Sequence, residues 1–378
     1  MTAPLEGLKV VELARILAGP WAGQILADLG ADVIKIESPA GDDTRGWGPP
    51  FIENPDGSRD AAYFHTANRG KRSESIDFRL PEGQARVHKL VAGADVVIEN
   101  FKVGGLAKYG LDYASLVTVN PRLVYCSITG FGQDGPYAAR PGYDFIIQGM
   151  SGIMDLTGAP EGAPQKIGVA YADILTGLYA VIGIQAALME RERSGLGQQI
   201  DMSLLDVMVG TLANQAMNYL VSGVSPKRLG NAHPNIAPYE AFPTRDSWFI
   251  LAVGNDSQFR RFCQVVGIEP DDEFATNAQR LERRVELSAI IGAATQRWQR
   301  HDLLGALEQA GVPAGPINTV AEAFADPQVI HRGMKLELAG ADGRQVSGVR
   351  MPVRFSRSSP ALPAAAPILG SAARQGER

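Results

Sequence analysis

The first 130 residues alternate short runs of apolar and β-branched residues with stretches of helical periodicity. Residues 8–13 and 32–36 read as apolar strands on either side of a small-residue helix over 18–29, and residues 95–98 and 123–128 as two more, with a helix over 82–91. Near-continuous apolar strands spaced by helices are the pattern of βαβ units around a parallel sheet covered on both faces. A Gly/Pro-rich passage, 130–142, leads through 143–152 to a long apolar helix that starts near Asp173. Its core, 174–189, is interrupted by Thr176, Gly177, Gly183 and Gln185 and is shorter than the roughly 20 residues of a membrane span, so a buried helix is expected and no membrane. Glu190-Arg191-Glu192-Arg193 and then Ser194-Gly195 form a helix stop. A strand over 199–202 and a helix over 204–221 complete a first domain, 1–221.

Composition changes at the Gly/Ser/Pro linker 222–226. The second domain, 222–310, carries a strand at 248–253 and an amphipathic helix over 279–300 that turns Leu281, Val285, Leu287, Ile290 and Ile291 toward a core. From 311 onward the chain is expected to return to the first domain, with an extended stretch at 312–317 and a loosely held Ala/Pro/Ser-rich tail over 356–378. No internal repeat is present.

The length of 378 residues is enough for two to three domains. A net charge of −5 gives no general attraction for nucleic acid or anionic membrane, so a polyanionic ligand must be met by a local basic cluster. Cys126 and Cys263 stand alone, without disulfide or zinc spacing, and no metal site is expected. The start of the chain has neither a charged, apolar signal pattern nor an Arg-rich transit stretch, so a cytoplasmic location is expected.

The stretch Gly130-Phe131-Gly132-Gln133-Asp134-Gly135 matches a dinucleotide fingerprint and follows a strand, but Pro136 and Arg140-Pro141-Gly142 continue a loop where that motif needs a helix. It reads as a glycine loop. The five histidines have no metal or triad spacing, and no nucleophile elbow, Walker loop or zinc-protease motif occurs. Asp271-Asp272-Glu273 reads as a solvated loop. Basic residues interleaved with Asn and Phe recur as Asn68-Arg69-Gly70-Lys71-Arg72, Arg79, Asn100-Phe101-Lys102, Lys108 and Arg140. Near strand ends, they suit phosphate groups where open α/β sheets bind ligands. Asp173, just before the apolar helix, has two readings. It is an N-cap, or a carboxylate held as the anion by free N–H groups and the helix dipole and acting as a nucleophile on an activated acyl group.

Leu5-Glu6-Gly7-Leu8-Lys9-Val10-Val11-Glu12-Leu13, Ala18-Gly19-Pro20, residues 29–37, residues 68–73 and residues 94–101 together resemble the class III CoA-transferases. Tyr143-Asp144, Ser151-Gly152, Ala172-Asp173, Gly195-Leu196-Gly197-Gln198 and residues 311–316 continue the match in order over nearly the whole chain. The resemblance implies an α/β fold with a Rossmann-like large domain and parallel sheet, a smaller α+β domain, and two ring-like chains interlocked as a homodimer. It implies CoA or acyl-CoA as substrate with no tightly bound cofactor, a small carboxylic acid as the second substrate, and Asp173 as the catalytic residue. Contacts to CoA carry over to Leu17, Ala18, Ile76, Arg79, Asn100, Phe101, Lys102 and Lys108, with Arg140, Tyr143 and Asp144 in the same site, while Ser38 and Pro141 stand where a relative has basic residues. The implied chemistry runs through an aspartyl-CoA thioester and mixed anhydrides, with backbone amides near 149–152 as oxyanion donors.

Two alternatives stand beside transfer: racemisation of an α-methylacyl-CoA, and CoA binding without chemistry. The racemases of the family use the His of a G-H-D element, whereas this chain has Gly142-Tyr143-Asp144, and a phenol with an ordinary pKa near 10 is a poor α-proton shuttle at neutral pH. Residues 230–239 resemble the branch that takes a dicarboxylate such as glutarate with succinyl-CoA as donor, where His233 or Arg15 would meet a distal carboxylate or serve an ordinary structural role.

Overall fold

The computed structural model describes residues 2–269, 271–340, 343–361 and 364–372. Its main sheet contains β1 (Lys9–Glu12), β2 (Asp32–Glu37), β3 (Arg72–Ser75), β4 (Val96–Glu99), β5 (Val124–Thr129) and β6 (Gln199–Ser203). All are parallel, in the order β3-β2-β1-β4-β5-β6. This is a doubly wound order, whose direction reverses between β1 and β4. The two-residue period of the strands sorts their side chains onto two covered faces. Val10, Val33, Val96 and Val124 pack with Ala22, Leu26 and Ile184, while Val11, Ile36, Val97 and Tyr125 pack with Val87, Val91 and Leu116. Helix α1 (Ala18–Asp28) covers the first face and α2 (Pro81–Val91) the second; α3 (Asp144–Met150) and α4 (Tyr171–Ser194) join α1.

Strand β3 has no apolar signature. It is held to β2 by side chains as well as the ladder: Ser73 Oγ donates to Glu37 Oε1 at 2.6 Å, and the Arg72 guanidinium pairs with Asp32. Helix α4, at 24 residues, is longer than its apolar run and is long and apolar enough, by length and composition, to cross a bilayer. Here its Ala172, Thr176, Gly177, Ala180, Ile184 and Ala187 are buried, and a Cβ on Gly177 would lie 2.8 Å from the Ala18 carbonyl oxygen. Leu178, Ile182 and Met189 stay exposed, so the helix is buried along one side only. It stops as the sequence indicates, with Gly195 left-handed at φ 77° and its N–H donating to the Arg191 carbonyl.

The single helix expected over 204–221 is two, α5 (Leu204–Gly210) and α6 (Ala213–Ser222). Thr211 bonds back to the Val207 and Met208 carbonyls and Ala213 takes φ 49°, which breaks the helical path.

The chain divides into two compact units, Met1–Ile153 with Lys166–Ser222 and Ile330–Arg378, and Met154–Gln165 with Gly223–Val329. In the second, β7 (Tyr239–Pro243), β8 (Trp248–Ala252) and β9 (Ala314–Pro316) form an antiparallel sheet. Because β9 pairs with β8, the return to the first unit falls at Ile330 rather than at 311. The helix expected over 279–300 is split into Asn277–Glu282 and Arg284–Thr295. Leu287 and Ile291 enter the core, but Val285 is 86% exposed and Ile290 also faces outward. The described part of the tail is anchored rather than loose: Ala361 N–H donates to the Asp28 carbonyl, and Gly370 and Ala372 donate to Ser73. Residues 362–363 and 373–378 of that expected tail lie outside the described residues.

Behind the ends of β1 and β2 lies an enclosed ionic cluster. Glu12 meets Lys35 at 3.1 Å and Lys71 at 2.7 Å, Lys35 meets Asp42 at 3.0 Å, and the side chains of Glu12, Lys35, Lys71 and Asp42 are enclosed. Burial alone would depress the Lys35 ammonium, yet Glu12 and Asp42 hold it above its ordinary value; burial pushes Lys71 down to about 8. Removing one partner of such a cluster strands the others. Lys35→Met is expected to cost about 3–5 kcal/mol, read as a lowered urea midpoint of the first unit; a change below about 1 kcal/mol would show that the cluster relaxes or admits water.

Candidate active site

The loops that leave the carboxyl ends of β1 to β5 enclose a cavity of about 760 Å3, at the place where doubly wound sheets hold ligands. Leu17, Ala18, Ile76, Arg79, Asn100, Phe101, Lys102, Lys108, Arg140, Tyr143, Asp144 and Asp173 all line it, with Arg15, Ser38 and Pro141. These residues come from six segments that the sequence leaves far apart. One approach that brings them together is glycine on glycine: a Cβ on Gly130 would lie 2.4 Å from the Gly142 Cα, so only bare backbone lets the Gly142-Tyr143-Asp144 segment run past the end of β5. No helix begins at the 130–135 glycines, in keeping with a loop rather than a dinucleotide motif.

The turn after β1 is clamped from both sides. Asn100 Oδ1 accepts the Arg15 N–H at 2.8 Å and its Nδ2 donates to the Arg15 carbonyl at 2.7 Å. Ile16 sits at φ 70°, a left-handed conformation that costs a β-branched residue about 1–3 kcal/mol, and its N–H donates to Asp42 of the ionic cluster. Asn100 is therefore committed to the backbone. The half-exposed Arg15 guanidinium pairs with Asp43 at 3.3 Å.

The expected cations divide into two sets. Arg69, Lys71 and Arg72 do not reach the cavity, since they pair with Asp28, Glu12 and Asp32. Arg79 lines it while paired with Asp77 at 2.7 Å; Lys108 lies 4.8 Å from the Tyr109 ring centre and Arg140 3.9 Å from that of Tyr137. Residues 149–152 do not line it, and the Ser151 N–H is already given to the Ile147 carbonyl, so Ser151 is not free as an oxyanion donor. His233 belongs to the second unit, where its ring meets Tyr239 at 5.3 Å and its Nδ1 accepts the Asn235 N–H. No group of metal-ligating side chains occurs among the described residues.

Asp173 is not the N-cap of α4. That position is Ala170, and the first turn is capped from a distance by Asp144, whose Oδ1 accepts the N–H of Ala172 at 2.8 Å and that of Asp173 at 3.3 Å. The residue that does this lies 28 positions upstream of Ala172, beyond the reach of any local capping pattern. The anion-stabilising N–H groups expected for Asp173 are thus taken, and its half-buried carboxylate accepts no hydrogen bond from the described residues. Burial, and then the charge of Asp144, push the Asp173 carboxyl up to about 7. Gln148, fully buried on α3, was not indicated by the sequence; its Nε2 donates to Asp144 Oδ2 at 2.7 Å and its Oε1 accepts the Ile167 N–H.

Because the folded protein binds the Asp173 proton more tightly than an unfolded chain, whose aspartate titrates near 3.8, this group's contribution is greatest below about pH 4 and is lost as pH rises to about 7. Asp173→Asn removes that dependence. Urea midpoints measured from pH 4 to 8 should show the variant gaining on the parent across this window and level above it; a constant difference would place the Asp173 carboxyl in an ordinary environment.

A family model described as CoA-transferase family III matches residues 5–373. Succinate--glutarate CoA-transferase of Agrobacterium fabrum is 60% identical over 371 residues, covering 95% of this chain and 93% of its own length. Succinyl-CoA:glutarate CoA-transferase of Homo sapiens is 39% identical over 371 residues, covering 97% of this chain and 84% of its own. Among solved structures, a CAIB/BAIF family protein from Brucella suis superposes with a TM-score of 0.91 at 61% identity, over 100% of both chains.

Proposed function

The chain belongs to CoA-transferase family III, and from that premise we propose that it moves CoA from succinyl-CoA to glutarate through Asp173. The observation that carries this reading is the Asp173 carboxylate itself, lining the cavity, with no hydrogen-bond donor among the described residues and raised to about 7. A carboxylate so placed ionises near neutral pH while remaining more basic than an ordinary aspartate, and basicity favours attack on a thioester.

In this mechanism an Asp173 oxygen attacks the succinyl carbonyl. A C–O bond forms and the C–S bond breaks, leaving a mixed anhydride and CoA thiolate. The thiolate attacks the aspartyl carbonyl, releasing succinate and giving an aspartyl-CoA thioester. Glutarate then attacks that thioester to form a second anhydride, and the thiolate takes the glutaryl group, restoring Asp173. Lys102, Lys108 and Arg140 meet the anionic part of CoA, and Phe101 with Leu17, Ala18 and Ile76 offers apolar wall.

Asp173→Ala is expected to leave a folded, CoA-binding protein with transfer lost, because the helix cap rests on Asp144. Parent protein incubated with succinyl-CoA and trapped with hydroxylamine or borohydride should carry its modification at Asp173. An alanine variant with near-parental turnover would overturn the mechanism.

The reading extends to assembly: two copies interlock as rings in a homodimer. Phe145, Ile182, Met189, Met217, Leu220 and Val221 are exposed on α3, α4 and α6 of the first unit, apolar area of the sort that marks protein interfaces. Light scattering should give the dimer mass over ordinary dilution, and a folded species of 40.4 kDa would contradict it.

A further inference from the structure

We infer that Gln148 is a positioning residue for the transfer: by holding the Asp144 carboxylate across the first turn of α4, it denies those backbone N–H groups to Asp173 and leaves the Asp173 carboxylate directed at the cavity. This rests on Asp173 being the nucleophile.

The geometry is a relay of three side chains. Gln148 is fully buried, and both ends of its amide are used. The Oε1 accepts the Ile167 N–H at 2.9 Å, which fixes which end is oxygen, and the Nε2 then faces Asp144 Oδ2 at 2.7 Å and the Val169 carbonyl at 3.5 Å. The chain entering α4 and the carboxylate capping α4 are therefore held by one amide. Asp144 Oδ1 is left to span Ala172 N–H and Asp173 N–H. A carboxylate in the first turn of a helix is ordinarily stabilised by the free N–H groups there, which lowers its basicity. Asp144 occupies them first.

The groups around Asp173 are few. Among the described residues, Asp144 on α3 supplies the charge that raises it; the Tyr63 phenol is raised by burial and then by the charges of Asp173, Asp144 and Asp42; Arg140 and Tyr143 line the same cavity. Gln148 lies outside the cavity lining, so it acts through Asp144 and not on substrate.

The test is Gln148→Met, which keeps the bulk and removes the amide, beside Asp144→Asn, which keeps an acceptor and removes the charge. For Gln148→Met, kcat should fall about 10- to 100-fold, the scale of a small misplacement of a reacting group, with KM for succinyl-CoA within about threefold. In both variants the acid limb of the pH–rate profile should move down by about one unit, and the double variant should shift no further than Asp144→Asn alone. Parental kcat with an unmoved limb overturns the inference, as does a fall in kcat that follows lowered thermal stability while the limb stays put. If Gln148→Met does not fold, an unmoved limb in Asp144→Asn overturns it. Trapping at Asp173 in the parent separates the two claims: without it the nucleophile reading fails, and with it an unmoved limb counts against Gln148 alone.

Discussion

The enclosed charge cluster of Glu12, Lys35, Lys71 and Asp42 is the constraint on which the first unit is organised. Charges this deep are tolerated only when each is answered at short range, so the positions of β1, β2 and the segments at Asp42 and Lys71 become mutually dependent. The cluster also reaches the backbone: Lys35 donates to the Ala14 carbonyl, Lys71 to the Pro20 carbonyl, and Asp42 accepts the Ile16 N–H. Ala14 and Ile16 belong to the turn that forms one wall of the cavity, and Pro20 to the first turn of α1, which follows it. The left-handed Ile16 persists because the surrounding bonds leave no relaxed alternative. A site wall made this way is stiff without metal or disulfide.

The second organising contact lies at the start of α4, where one helix end serves two carboxylates unequally. Both carboxylates line the cavity, but among the described residues Asp144 alone accepts the helix N–H groups. Had Asp173 been the cap, as its position suggests, its anion would have been comfortable and a weak nucleophile. Giving the capping role to Asp144 keeps the helix intact and leaves the Asp173 carboxylate without those backbone donors. The cost is a group that destabilises the fold when ionised, a common trade where a buried side chain must react.

How much of this was legible in the sequence follows from the range of the interactions. Strands β1, β2, β4 and β5, the helix stop at Gly195 and the glycine loop at 130–135 are local: apolar runs, capping chemistry and a Pro that forbids a helix declare them. Strand β3 is not, because Ser73 and Arg72 take their roles from Glu37 and Asp32; the split of 204–221 is local but unannounced by periodicity, since Thr211 turns its own hydroxyl back onto the Val207 carbonyl. The cavity residues were legible through resemblance in ordered motifs, but the division of labour between Asp144 and Asp173 was not, and Gln148 carried no signal at all. A buried amide in the middle of an apolar helix is visible only once its partners, 19 and 4 residues away, are in place.

The composition of the cavity wall bears on which reaction the site suits. Its ionisable lining is carboxylate, ammonium, guanidinium and phenol, and no histidine is among the described lining residues. Racemisation must remove a proton from carbon on one face and return one on the other, which calls for two groups that change protonation near neutrality. Acyl exchange asks for nothing of the kind. Each step joins a carboxylate or thiolate to a carbonyl and expels another carboxylate or thiolate, so negative charge is conserved and no proton need cross the site. What such a sequence requires is a basic carboxylate beside cations able to hold a polyanionic substrate, and the cavity lining contains Asp173 together with Lys102, Lys108 and Arg140.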